Sequence, residues 1–151
     1  MSSKLVILHV EDDPNDVLLV GLAFRKSDAA AVMQVVNDGE QAVQYLAGQG
    51  AYSNRQTFPL PTIVLLDLKL PRRSGLEVLS WVRGQDDLRR LPIIMLTSSN
   101  QQGDITKAYD LGINSFLVKP SALEELTAMV RKICGYWLEL NVRAPIDGEE
   151  M

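Results

Sequence analysis

Polar residues that follow apolar runs are the first candidates for chemistry in this sequence. Glu11 and Asp12 come directly after one apolar run, and Asp67 comes directly after another. Thr97 and Lys119 stand at the ends of two further runs. Carboxylates, a hydroxyl and an ammonium group together can hold a divalent cation and bind phosphoryl oxygens. A carboxylate can also attack phosphorus as a nucleophile and form an aspartyl-phosphate.

The acidic residues divide into a candidate nucleophile and a candidate metal pair. Asp67 stands alone at the end of its apolar run, which makes it the candidate phosphoacceptor. Glu11 and Asp12 are placed to hold Mg²⁺ beside it, because Mg²⁺ is usually bound by one or two carboxylates, waters and phosphoryl oxygens. The backbone carbonyl of Lys69, two residues past Asp67, could complete the metal shell. Asp67 would itself provide a further metal ligand.

Thr97 and Lys119 supply the remaining donors. The Thr97 hydroxyl could donate to one phosphoryl oxygen, and the Lys119 ammonium could neutralise another as a point charge. Each of the five residues alone has an ordinary structural explanation, such as a turn former, a capping hydroxyl or a surface lysine. Their joint occurrence at the ends of four different strands is what indicates a functional site.

The elements that position these residues follow an alternating pattern. Five short apolar runs predict β-strands over residues 5–10, 32–36, 62–66, 92–96 and 115–118. Runs one, three and four are almost wholly apolar, which is typical of parallel strands that are covered by helices on both faces. Amphipathic stretches lie between the runs, so we predict an α/β fold with five strand-helix units and right-handed crossovers. Ligands of such sheets collect beyond the carboxyl ends of the strands.

Helix starts and stops are marked by local signals. The candidate caps are Asp13 before Pro14, Asp38, Ser74 with Glu77, and Ser121 with Glu124. An acidic or hydroxyl side chain at such a position accepts from free amide groups of the first turn, and a glutamate three residues on completes a capping box. The fourth helix is predicted over residues 104–111, with Gly112 as its stop.

Composition narrows the class of protein. The chain has 151 residues, of which 46% are hydrophobic and 23% charged, and its formal net charge is −4. Its basic residues form no stripe, and the runs among them are short pairs such as Arg72-Arg73 and Arg89-Arg90, so we expect no binding to nucleic acid. No run is long enough to span a bilayer and no signal peptide is evident, so we expect no membrane partner and a cytoplasmic location. Cys134 is the only cysteine, which excludes an internal disulfide.

Four segments of the chain resemble the receiver domains of two-component response regulators: residues 7–14, 64–75, 95–99 and 116–120. The resemblance covers about residues 5–134. It implies a flavodoxin-like (βα)5 fold whose five-stranded parallel sheet has the order 2-1-3-4-5. It also implies phosphotransfer from a histidine kinase to Asp67, dependence on Mg²⁺, and slow self-dephosphorylation by water. Such a protein is a phosphoacceptor and not an enzyme.

The resemblance also implies roles for single residues. Asp12 would be the direct metal ligand of the acidic pair, and Thr97 with Phe116 would form the conformational switch. Phe116 stands where the family usually has tyrosine, so it has no hydroxyl to offer, and it could equally be a core residue. Lys69 is a less usual occupant of its position. The bond between Lys119 and Pro120 would be cis, an isomer that is accessible before proline.

A narrower resemblance links the chain to the small response regulators that are paired with phytochrome kinases. It rests on the long loop 48–61, on the Ser98-Ser99-Asn100 run and on the tail Tyr136-Trp137-Leu138. In that group the tail and the fourth and fifth elements support homodimers. We therefore predict a receiver domain over residues 1–135 and a C-terminal extension over 136–151 that could act as a dimerisation arm. The alternative is a tail that packs back on its own domain.

The predicted function is that of a single-domain response regulator that accepts a phosphoryl group on Asp67 and then changes its protein contacts. Its output would be a contact with an effector protein or a downstream phosphotransfer. One alternative is a pseudo-receiver, an adaptor that works without phosphorylation. Enzymes on similar folds fit poorly, because the residues after the first run, Glu-Asp-Asp-Pro-Asn-Asp, lack the glycine-rich phosphate loop of flavodoxins.

Overall fold

A five-stranded parallel sheet with helices on both faces forms the protein. The computed structural model describes residues 5–146. The sheet order is β2-β1-β3-β4-β5, which confirms the predicted flavodoxin-like α/β fold. The elements, in chain order, are β1 (Val6–Val10), α1 (Pro14–Ser27), β2 (Val32–Val36), α2 (Gly39–Ala47), β3 (Ile63–Leu66), α3 (Gly75–Arg83), β4 (Ile93–Thr97), α4 (Gln102–Asp110), β5 (Ser115–Val118) and α5 (Leu123–Cys134).

The apolar runs form strands because both of their faces are covered. Every residue of β1, β3 and β4 is buried, as the continuous apolar runs predict. Successive side chains point to opposite faces, so Leu8 packs with α2, α3 and α4 while its neighbour Ile7 packs with α1 and α5. We call these the α3 face and the α5 face of the sheet. The predicted strand bounds agree with the structure to within one residue.

Three of the four predicted helix caps are present. Asp13 accepts from the amide of Asn15 at 2.9 Å, and Asp38 accepts from that of Gln41 at 2.7 Å. Ser74 and Glu77 form the reciprocal capping box.

The fourth predicted cap is wrong. The helix α5 begins at Leu123, so Ala122 is its N-cap and Ser121 precedes it, too early to cap the first turn. Glu124 and Glu125 still lie in that first turn, where they complement the helix dipole. The helix α4 also begins two residues before the predicted start and ends before Gly112, whose φ of 97° lies in the left-handed region.

The long segment between α2 and β3 is organised by aromatic packing. The rings of Tyr52 and Phe58 contact that of Tyr45, with centroids 5.2 and 6.0 Å away. Arg55 donates to the carbonyls of Tyr45 at 2.8 Å and Leu46 at 2.9 Å, which satisfies acceptors at the end of α2. The segment therefore packs against the α2 side of the fold.

The C-terminal tail continues α5 and then crosses to the other face of the sheet. A π-helical turn, Gly135–Leu140, follows α5 directly, and Trp137 and Leu138 within it pack on the α5 face. Ile146 is only 3% exposed and packs on the α3 face. No helix among residues 5–146 has the length and hydropathy required to cross a bilayer.

Candidate functional site

The residues that could do chemistry meet at the carboxyl edge of the sheet. Glu11 follows β1, and its amide donates to the carbonyl of Val36 at 3.0 Å. Asp67 follows β3, and its amide donates to the carbonyl of Val10 at 3.1 Å. These bonds extend the pairing of neighbouring strands by one residue. The acidic side chains are therefore fixed by backbone that belongs to the rigid sheet.

Three carboxylates form one cluster at this edge. Glu11, Asp12 and Asp67 each place an oxygen within 4.8 Å of the other two. Glu11 is 1% exposed and Asp67 is 9% exposed, whereas Asp12 is open to solvent. Like charges at this distance repel, so the cluster needs a compensating cation. Hard oxygen donors from two buried and one exposed carboxylate fit a divalent cation that enters from solvent.

The protonation of Glu11 is set mainly by its burial. Burial is the main reason that the pKa of this carboxyl is raised to about 7; the charge of Asp67 acts in the same direction, while the hydrogen bond from Lys119 opposes both. The second carboxylate oxygen accepts from the amide of Asp13 at 3.2 Å. Glu11 therefore changes its charge near neutral pH, in the range where metal binding would be measured.

Lys119 provides the positive charge of the site. Its Nζ donates to Glu11 Oε1 and, at 2.8 Å, to Asp16 Oδ2, and its side chain is 9% exposed. Burial lowers the pKa of Lys119, but its hydrogen bonds to Asp16 and Glu11 and the charge of Asp67 outweigh burial and leave that pKa raised. Among the described residues, its ion pairs are with Glu11 and Asp16, and none is with Asp67.

Asp16 is a site residue that no motif in the sequence marks. It lies in the first turn of α1, three residues after the N-cap Asp13. A residue at that position faces the same carboxyl edge as the cap, because the first turn of α1 begins there. This position in the first turn is the only signal in the sequence that could have indicated its contact with Lys119.

Thr97 and Phe116 lie on the same face of the sheet. Thr97 ends β4 and is buried, and its Oγ1 accepts from the amide of Ser99 at 3.4 Å. Phe116 pairs in register with Met95, two residues before Thr97, and its half-buried ring packs on the α3 face. Side chains two residues apart on a strand share a face. The phenylalanine ring is therefore placed diagonally from the Thr97 hydroxyl.

The loop after Asp67 is held close to the start of α3. Asp67 Oδ1 accepts from the amide of Leu68 at 2.8 Å. A Cβ on Gly75 would stand 2.2 Å from the carbonyl oxygen of Asp67, so only glycine allows this approach. Lys69 is exposed in the same loop, with its side chain directed to solvent.

One peptide bond at this edge differs from the expectation. The Lys119–Pro120 bond is trans and not cis. The trans isomer is the more stable one before proline. His9 in β1 is also buried, and its Nδ1 has no hydrogen-bond partner among the described residues. Burial is the main reason that the pKa of His9 is lowered to about 4.

Residues 7–131 match the sequence profile of the response regulator receiver domain. The response regulator Rcp1 of Synechocystis sp. is 38% identical over 134 residues, which cover 89% of this chain and 89% of that protein.

Two solved structures extend the likeness to the fold. The phosphorylated cyanobacterial phytochrome response regulator RcpA has a TM-score of 0.86 at 33% identity, covering 93% of this chain and 99% of that one. The Mn²⁺-bound form of Rcp1 has a TM-score of 0.82 at 36% identity, with coverage of 93% and 99%. The chain therefore belongs to the response regulator receiver domain family and is homologous to phytochrome-associated members of it.

Proposed function

We propose that the chain accepts a phosphoryl group on Asp67 from a histidine kinase and changes its protein contacts as a result. The observation that carries this proposal is the clustering of Glu11, Asp12 and Asp67 beside the buried ammonium of Lys119. Family membership supports it, since receiver domains transmit signals by phosphorylation and are generally not enzymes. A pseudo-receiver is not favoured, because every acceptor residue is present.

The proposed reaction transfers one phosphoryl group between side chains. A carboxylate oxygen of Asp67 forms a bond to phosphorus while the phosphorus–nitrogen bond of the kinase phosphohistidine breaks, and the leaving imidazole takes up a proton. Lys119 neutralises one phosphoryl oxygen and the Thr97 hydroxyl donates to another. Slow hydrolysis of the acyl phosphate by water would reset the protein.

Mg²⁺ is the proposed cation of the site. Asp12 and Asp67 would hold it directly, with Glu11 and the backbone carbonyl of Lys69 completing the protein contribution. When bound, the ion neutralises negative charge that builds up on the phosphoryl oxygens. The donor set consists of oxygens alone, which suits Mg²⁺ and Mn²⁺, and the Mn²⁺-bound form of Rcp1 is consistent with this choice.

Metal affinity is expected to depend on pH through Glu11. Its folded pKa is about 7, so below pH 7 the carboxyl carries a proton that must leave before the ion can bind. The apparent affinity for Mn²⁺ should fall by up to about tenfold from pH 8 to pH 6. Isothermal titration calorimetry in buffers of different ionisation enthalpy would measure both the affinity and the proton release.

Glu11→Gln is the matched control for this pH dependence. The variant should bind Mn²⁺ more weakly than wild type at pH 8, but its affinity should change much less between pH 6 and pH 8. A wild-type affinity that is constant over this range would show that Glu11 does not titrate there.

Thr97 and Phe116 are the proposed switch. A phosphoryl group on Asp67 would attract the Thr97 hydroxyl, and the Phe116 ring could move into the space that the hydroxyl leaves. Both side chains lie on the α3 face, so the movement would alter the surface around α4 and β5. That surface would then favour a different partner, either an effector or a downstream phosphotransfer protein.

A phytochrome-type histidine kinase is the proposed upstream partner. The supporting observation is the likeness to RcpA, a cyanobacterial phytochrome response regulator whose structure was determined in phosphorylated form. We place the chain in the cytoplasm with such a kinase.

The phosphoacceptor proposal is tested by incubation with acetyl phosphate and Mg²⁺. The wild-type chain should gain the mass of one phosphoryl group, in an adduct that is stable in acid and labile in base. Borohydride reduction followed by peptide mapping should place the modification at Asp67. A chain that stays unmodified under acetyl phosphate and under a phytochrome-type kinase would refute the proposal.

A homodimer that uses residues 136–151 is the second element of the proposal. Leu140 and Val142 are 75% and 86% exposed, and a second copy of the chain could cover these apolar side chains. Truncation at residue 136 is a poor test, since it would also remove the buried Ile146. We expect the double substitution Leu140→Ser and Val142→Ser to lower the mass in light scattering from dimer to monomer.

Leu18→Ser is the matched control, because Leu18 is an exposed apolar residue on α1. It should leave the mass unchanged. A wild-type chain that is monomeric with and without phosphate would contradict the homodimer.

A further inference from the structure

Lys119 is bound by Asp16, a residue to which the proposed phosphotransfer gives no role. The Lys119 ammonium donates to Asp16 Oδ2 at 2.8 Å and to Glu11 Oε1, and both contacts join residues more than 100 positions apart in the chain. Asp16 is partly exposed, with 33% of its side chain accessible, whereas Lys119 is 9% exposed. The ion pair with Asp16 therefore lies at the rim of the site, on the side of α1.

The position of the pair determines what it does to the site. Lys119 is near enough to Asp67 for the aspartate charge to raise its pKa, but it lies beyond ion-pair distance from that carboxylate in the described structure. A phosphoryl group on Asp67 would carry more charge and more acceptor oxygens than the carboxylate alone. Lys119 has a third N–H donor for the phosphoryl group, and moving the ammonium toward Asp67 to use it would stretch the bond to Asp16 on the α1 side.

Glu11 and Asp16 differ in how easily they release Lys119. A divalent cation at the acidic cluster competes for Glu11, which belongs to that cluster. Asp16 is outside the cluster, so its hold on Lys119 persists when the cation binds. The ion pair with Asp16 is therefore the contact of Lys119 that still competes with a phosphoryl group on Asp67 once the cation is bound.

We propose that Asp16 is a positioning residue that holds the Lys119 ammonium on the α1 side of the site and thereby limits the population of the phosphorylated state. This inference rests on the proposed function, because it assumes that Lys119 binds the phosphoryl group on Asp67. A ligand shifts the equilibrium between two conformations only by the difference between its affinities for them. A contact that stabilises the unphosphorylated conformation reduces that shift. Removing the competing carboxylate should therefore favour any phosphoryl group, or phosphoryl mimic, at Asp67.

Beryllofluoride binding in Mg²⁺ tests the proposal, since this anion occupies the position of a phosphoryl group on a carboxylate without covalent transfer. The substitution Asp16→Asn removes the charge and keeps the size. A partly exposed ion pair of this kind changes an equilibrium about two- to fivefold, so Asp16→Asn should bind beryllofluoride tighter by that factor. Asp16→Glu, which keeps the charge, should restore the wild-type affinity.

Two further variants separate a specific contact from a general effect of charge. Asp13→Asn removes the same charge from the same helix start without touching Lys119, and asparagine caps a helix as well as aspartate does. It should leave the affinity within experimental error of wild type. In a Lys119→Met background, Asp16→Asn should not change the affinity for beryllofluoride. The coupling energy between the two residues in the double-mutant cycle should therefore equal the whole gain in affinity that Asp16→Asn gives in the wild-type background.

The outcomes distinguish this proposal from the proposed function. An affinity of Asp16→Asn that is equal to or weaker than that of wild type, or an equally large gain in Asp13→Asn, would overturn the role of Asp16 alone. A wild-type chain that does not bind beryllofluoride at all would overturn the phosphoacceptor function, and the role of Asp16 with it.

Discussion

Asp67→Asn is expected to abolish phosphorylation by acetyl phosphate while leaving the protein folded and slightly more stable. An amide oxygen is a poor nucleophile toward phosphorus and cannot form a stable acyl phosphate. The side-chain oxygen of the introduced asparagine can still accept from the amide of Leu68, as Asp67 Oδ1 does at 2.8 Å, so the loop after β3 should keep its conformation. Phosphate incorporation by mass spectrometry measures the chemical effect.

The stability gain follows from the repulsion within the acidic cluster. Three carboxylates that place oxygens within 4.8 Å of one another oppose the folded state in the absence of a cation. Neutralising one of them should raise the free energy of unfolding by about 1 kcal/mol in chelator, and by less in Mg²⁺, as measured in urea. If the variant stays unmodified because it is unfolded, its free energy of unfolding should instead be lower than that of wild type.

Asp13→Asn is the control for the same experiment. Asp13 is exposed and caps α1, and asparagine caps equally well, so phosphorylation should proceed as in wild type. Modification of the Asp67→Asn variant at the wild-type rate would place the phosphoacceptor elsewhere. Asp12, the exposed member of the acidic cluster, would then be the next candidate.

Lys119→Met is expected to separate metal binding from phosphorylation. Removing the ammonium takes away a charge that opposes a divalent cation at Glu11, so at a pH high enough to keep Glu11 ionised the Mn²⁺ affinity should stay the same or rise. Phosphorylation should nevertheless slow by about 100-fold, because one donor to the phosphoryl oxygens is lost. Calorimetry and the acetyl phosphate assay on the same preparation measure the two effects.

The same substitution should destabilise the metal-free protein in a way that depends on pH. A buried carboxylate that loses its partner becomes an uncompensated charge, which costs several kcal/mol when the group stays ionised. Loss of Lys119 removes the main influence that lowers the pKa of Glu11, so Glu11 should take up a proton more readily. The loss in stability should therefore be about 2 kcal/mol at pH 8 and smaller at pH 6.

Lys132→Met controls for the loss of a lysine in general. Lys132 is exposed in the last turn of α5, at the far end of the helix from the site. It should leave metal affinity, phosphorylation and stability unchanged within error. Mn²⁺ affinity that falls together with phosphorylation in Lys119→Met would show that the lysine orders the acidic cluster rather than serving the phosphoryl group.

Features that depend on neighbouring residues could be predicted from the sequence. Continuous apolar runs indicate strands that are buried on both faces, and the caps at Asp13, Asp38 and Ser74 act on amide groups within the next three residues. A parallel sheet then brings all carboxyl ends to one edge. This is why Glu11, Asp12, Asp67 and Lys119, found in separate segments, could be placed in one site before their distances were known.

The features that were predicted wrongly or left open concern interactions for which a local pattern is only a weak guide. Ser121 and Glu124 have the spacing of a capping box, but α5 begins at Leu123, beyond the serine. The tail residues Trp137 and Ile146 are apolar, yet the sequence does not say that they pack on opposite faces of the sheet. Such a path depends on which core surfaces remain uncovered, and that is decided by the packed domain.

Thus the sequence by itself determined the elements, the order of their alternation and the phosphoacceptor candidate Asp67. Only the tertiary structure decided which partners the charged groups have. Lys119 was predicted as a donor to phosphate, but in the folded chain it binds Glu11 and Asp16. The physical reason is that a buried charge must find a counter-charge wherever the fold supplies one, and the fold brings the start of α1 against the end of β5.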